Sequence, residues 1–118
     1  MPAYGKIRLE RQKVTSGIVA IGANVTIDLD PDFTHNFAAV EFFSDADGTA
    51  ATPTRDTITF TAETEELPGV FQDITNGTVT VTSNRGVNFS GNVTRLRAAF
   101  SSITGATHCR LNANGNLS

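Results

Sequence analysis

Tryptophan is missing from this chain, and cysteine, methionine and tyrosine occur once each. The lone thiol, Cys109, cannot close an internal disulfide, so nothing in the sequence calls for an oxidising compartment. Sugar sites usually stack rings on aromatic faces, so the lack of Trp and the single Tyr4 weigh against a glycoside hydrolase and against a carbohydrate-binding module. Charge is sparse as well, at 18% of residues. Nine basic residues against twelve acidic ones leave a net charge of -3. Counter-ion release from a phosphate backbone needs clustered Lys and Arg, so no nucleic acid partner is expected. No apolar run approaches the roughly 20 residues of a membrane helix, so no membrane partner is expected either. Met1 to Lys6 has no hydrophobic core of the signal-peptide kind, and secretion by that route is not expected. The Asn-X-Ser/Thr triplets at Asn24, Asn76, Asn88, Asn92 and Asn116 then follow from composition and do not mark glycosylation.

What the chain does have is threonine, at seventeen positions, and phenylalanine, at eight. Both favour strands. Its 118 residues suit one domain, residues 1–118, with a core of its own. Short alternating segments recur between Gly, Asn, Asp and Pro, and none shows a capped helical period. Strands are expected at Lys6–Val14, Ile18–Ile21, Val25–Leu29, Phe37–Ser44, Thr57–Ala62, Val70–Ile74, Thr78–Ser83 and Val87–Phe89. A closing pair follows, with Leu96, Ala98 and Phe100 alternating in the first strand and Cys109 and Leu111 in the second. Asn76-Gly77 reads as a hairpin turn. With the shortest of these segments joined to their neighbours, the expected fold is all-β, an antiparallel β-sandwich or jelly roll of about eight short strands. Residues 1–5 lack alternation and suit a flexible arm that orders on a partner by strand addition.

Phe37–Phe43 is apolar on both faces, as a central or covered strand must be. Glu41 interrupts it. A buried, unpaired carboxylate is costly, so Glu41 must be exposed or paired, with Arg95, Arg97 or Arg110 as candidate partner. Those arginines fall in the outward register of the closing pair and form the expected partner or subunit interface, together with Glu41, Phe37 and Phe43.

Other constellations are weaker. Asp28, Asp30 and Asp32 have the donors for a hard cation, but like charges beside Pro31 also protect a strand edge. Asp45-Ala-Asp-Gly48 opens like a calcium loop yet lacks the later ligands, so a plain turn is expected and no metal or other cofactor. Glu63, Glu65 and Glu66 with Glu41 offer carboxylates for glycoside hydrolysis, three of them in one acidic loop. His35, His108 and Cys109 supply no nucleophile elbow or phosphate loop. No enzyme activity is expected, and Cys109 reads as a small buried hydrophobe.

The segments Pro68–Ser83 and Phe89–Gly115 resemble small β-sandwich virion proteins of tailed bacteriophages. The likeness lies in Thr/Asn/Gly-rich strands, few lysines, one cysteine and no catalytic motif, and it transfers no functional residue. It implies a structural protein of the virion, assembled in the host cytoplasm. A head decoration (cement) protein comes first, binding the major capsid protein and itself as a homo-oligomer such as a trimer. A tail or connector component, or a small ligand- or carbohydrate-binding module, are the alternatives.

Overall fold

The computed structural model describes residues 11–54, 57–80 and 85–116. Among these, nine strands form two antiparallel sheets. In chain order they are β1 (Arg11–Thr15), β2 (Val19–Ala20), β3 (Asn24–Asp28), β4 (His35–Phe43), β5 (Thr57–Thr64), β6 (Gln72–Thr80), β7 (Gly86–Ser90), β8 (Val93–Phe100) and β9 (His108–Asn116). One sheet has the order β1-β9-β4-β7, with β2 also on β9, and the other β3-β8-β5-β6. The fold is the expected all-β sandwich.

Alternation built it. Ala38, Val40 and Phe42 of β4 and Cys109, Leu111 and Ala113 of β9 turn into the core from one sheet. Ile58, Phe60 and Ala62 of β5 and Leu96 and Ala98 of β8 meet them from the other. Most of these side chains alternate with neighbours that face out, as period two requires, polar ones on β5 and β9 and mainly apolar ones on β4. β4 is central, flanked by β9 and β7, which accounts for its apolar run.

Three expectations are corrected. The closing segments do not pair: β8 belongs to the four-stranded sheet and β9 to the five-stranded one. The segment 101–107 carries the chain across the sandwich. Asn76-Gly77 makes no hairpin either. It lies inside β6, where Thr59 pairs with Thr78 but Thr61 pairs with Asp73. Phe60 thus faces the four residues Ile74–Gly77, a bulge wider than the usual two against one. Asn76 takes φ 60° there, a left-handed conformation that asparagine tolerates. The Asn-Gly pair supplies local curvature without reversing the chain. Finally, Val70–Ile74 and the start of Thr78–Ser83 are one strand, not two. The parts of the expected strands at Lys6–Glu10 and Val81–Ser83, and the arm at residues 1–5, lie outside the described residues.

Candidate functional site

The crossing between β8 and β9 divides the expected arginine surface. Arg95 and Arg97 stand on the outer face of the four-stranded sheet, Arg110 on the outer face of the other. Three arginines in one outward register of the sequence therefore serve two opposite surfaces.

On the four-stranded sheet, cross-strand rows run Asp28–Arg95–Glu63 and Thr26–Arg97–Thr61. Glu63 is buried and fully engaged. Arg95 Nε and the Gly69 N–H both donate to its carboxylate, and the Thr94 hydroxyl donates to its backbone carbonyl at 3.1 Å. The Arg95 hydrogen bond first, and the Gly69 N–H second, outweigh desolvation and hold the Glu63 carboxyl at about 2, against an ordinary 4.5. Glu63 raises the pKa of Arg95 in return. A lowered carboxylate pKa contributes stability above its unfolded value and loses it as pH falls toward the folded one. Melting temperature should therefore drop between pH 4.5 and about 2, and Glu63→Gln should flatten that part of the profile. A wild-type profile that overlays the variant's would remove Glu63 as the cause.

Phe71, just before β6, folds over both arginines. Its ring centroid is 3.8 Å from Arg97 Cζ and 5.1 Å from Arg95 Cζ. Stacking of this kind holds a guanidinium flat and rigid. Unlike Arg95, Arg97 has no carboxylate partner among the described residues, and its Nε and the facing Thr61 Oγ1 are buried without a hydrogen-bond partner. Among the described residues, Arg97 is the one arginine of the three without a carboxylate beside it.

On the five-stranded sheet, Glu41 finds its expected partner in Arg110. The register sets the two opposite each other, with Arg110 Nε 2.7 Å from Glu41 Oε1 and Asn112 Nδ2 donating to the same oxygen at 2.8 Å. The Arg110 hydrogen bond lowers the Glu41 pKa. The pair is half-exposed, so its contribution to folding is small. Arg110 also covers the Phe43 ring, at 5.3 Å from its centroid, and Phe43 is buried although it faces outward. Phe37 is different: it is 43% exposed.

The weaker constellations come apart. Glu41 and Glu63 lie on opposite outer faces, so they form no carboxylate pair. Glu65 accepts from Asn92 at 3.4 Å. His108 pairs with Phe43 at one end of β4 while His35 begins the other, roughly 26 Å away at strand rise. Asp30 accepts the Asp32 N–H at 2.9 Å, and Asp45 accepts the N–H groups of Asp47 and Thr49; both act as turn formers. Among the described residues no three His, Cys, Asp or Glu side chains converge as metal ligands. Cys109 is fully buried, and desolvation pushes its thiol up to about 11. A thiol-disulfide reagent at pH 8 should leave it unlabelled until denaturant is added; rapid labelling of the folded protein would contradict that burial.

Phe71 and Asn114 were not singled out by sequence reasoning, and Asn88 and Asn116 entered it only as Asn-X-Ser triplets, not as site residues. The alternation of Asn112, Asn114 and Asn116 with Leu111, Ala113 and Gly115 was the available signal for two of them. Asn88 joins them only through sheet pairing.

A family model described as a domain of unknown function, DUF7265, matches residues 9–118, so the chain belongs to that family. None of the curated proteins compared with it matches. A solved structure of the SPBc2 prophage-derived protein YomS is similar in fold, with a TM-score of 0.57 and 12% identity over 92% of this chain and 98% of that one. A chain from Bacillus endospore appendages, described as disulfide-linked pili, aligns at a TM-score of 0.45 with 10% identity, over 92% of this chain and 88% of that one. No helix among the described residues is long and apolar enough to cross a membrane.

Proposed function

We propose that this DUF7265 protein is a non-enzymatic structural protein of a bacteriophage virion, and specifically a head decoration protein that oligomerises on the lattice of the major capsid protein. The observation that carries the reading is Arg97, stacked on Phe71 and lacking a carboxylate partner among the described residues. A preformed arginine with an aromatic support is a typical anchor for a partner's carboxylate, because little entropy is lost when it docks. Arg95 and Arg110 are already engaged within the chain, so docking through the four-stranded sheet centres on Arg97. The prophage origin of a solved protein with this fold supports the viral setting.

The test is add-back. Heads from a phage carrying this gene, prepared without its product, are mixed with purified protein and sedimented. Wild type should co-sediment with heads. Arg97→Ala should weaken binding by roughly 2 kcal/mol or more, as for an interface arginine. Arg97→Lys, which keeps charge but loses the planar fork, should also bind less well. Wild type that ignores heads, or is found in purified tails only, would overturn the decoration role.

A further inference from the structure

The outer face of the five-stranded sheet carries a second arrangement, independent of the virion reading. Pairing sets Phe37 of β4 between Asn114 of β9 and Asn88 of β7, and His35 between Asn116 and Ser90. These six residues line one depression of about 400 Å³, within the roughly 300–1,000 Å³ of small-molecule sites. Cross-strand neighbours stand about 5 Å apart, so the two outer asparagines of the Phe37 row are on the order of 10 Å from each other.

The Phe37 ring is held down by a glycine. A Cβ placed on Gly86 would lie 2.5 Å from Phe37 Cζ and 3.0 Å from Cε1. The ring therefore leans across β7 into space that only glycine leaves open. It stays 43% exposed, so part of its surface faces solvent above the sheet.

The amides around it are unused. Asn36, Asn92 and Asn112 each spend their side-chain amide on a hydrogen bond, to Phe33, Glu65 and Glu41. Asn88, Asn114 and Asn116 make no side-chain hydrogen bond among the described residues. Each free amide offers two donor hydrogens and a carbonyl acceptor. Among the described residues no carboxylate lines the depression.

We propose that this face binds a neutral carbohydrate, one sugar ring stacked on Phe37 and its hydroxyls hydrogen-bonded to Asn88 and Asn114. Hydroxyls around a ring present one donor and two acceptors each, matching amides on both sides of an aromatic platform. The lining side chains named here are uncharged amides, a ring, a hydroxyl and an imidazole, and the nearest fixed charges, Arg11 and Lys13, stand one strand away on β1 opposite Asn116 and Asn114. The core of a protein interface is enriched in several aromatics, Met and Arg. The depression exposes one phenylalanine ring, Phe37, and a protein partner covering it would have to satisfy three amides or leave them desolvated.

The test is an NMR titration of isotope-labelled protein with cellobiose, maltose, lactose and chitobiose, followed by an array of neutral glycans. At least one should give saturable shifts centred on Phe37, Asn88 and Asn114. Phe37→Leu, which keeps bulk without the ring, and Asn114→Ala should each weaken binding roughly tenfold, or about 1.4 kcal/mol. Phe37→Tyr should retain it, which separates loss of the platform from loss of fold. No response to any neutral glycan, or shifts away from this face, would overturn the proposal. So would concentration-dependent dimerisation abolished by Phe37→Leu without a glycan response, since the face would then belong to a second copy.

Discussion

Phe60→Ala is expected to destabilise the fold by about 3–5 kcal/mol. Phe60 has no exposed surface. It lies on β5, the strand between β8 and β6, and packs in the cluster that joins the two sheets. Truncation removes apolar burial and also leaves a cavity, because both sheets are held by their ladders and collapse only in part. For a chain of this size that loss should lower the melting temperature by on the order of 10–20 °C. Thr59→Ala, one residue away on the outer face, serves as control and should stay within about 0.5 kcal/mol of wild type. Chemical denaturation of the two variants measures both. A Phe60→Ala loss no larger than the control's would mean that the sheets are not joined through this core.

Gly77→Ala should be the second large effect, at about 1–3 kcal/mol or more. The new Cβ would lie 2.7 Å from the Ile74 carbonyl oxygen and 2.8 Å from that of Phe60. Both are backbone atoms of the bulge and of the strand beside it, so no side-chain rotation relieves the clash. Gly22→Ala provides the contrast: a Cβ there would meet nothing within 4 Å, and the substitution should be close to neutral. If both variants melt like wild type, the bulge is not packed against β5.

Glycine at position 77 also shows how far local signals reach. Asn-Gly is the strongest short-range cue for a hairpin, and Asn76 does adopt the left-handed backbone that the cue implies. The larger consequence differs because β6 continues along the same neighbour on both sides of the bulge. Whether a left-handed residue ends a strand or merely bends it depends on what lies beside the strand, and β5 is distant information for a local reading.

The same limit governed the arginines. Their outward register was legible from Leu96, Ala98, Cys109 and Leu111, and the need of Glu41 for a cation followed from the cost of an unpaired carboxylate. The assignment of β8 and β9 to different sheets was not legible, because consecutive strands can pair or cross with equal alternation. That crossing put Arg95 and Arg110 on opposite surfaces, gave each its own glutamate, and left Arg97 over to stack on Phe71.

By itself, then, the amino-acid order determined the class of fold, most of the strands, the inward and outward faces of each, and the burial of Cys109. These follow from period-two alternation and from the free energy of burying apolar side chains, both of which are written along one strand at a time. Tertiary structure alone decided which outward faces share a surface. Asn88, Phe37 and Asn114 come from three strands far apart in sequence and meet only because β4 pairs with both β7 and β9. Register between strands is set by how two sheets fill one core together, and a surface site composed across strands inherits its geometry from that shared packing.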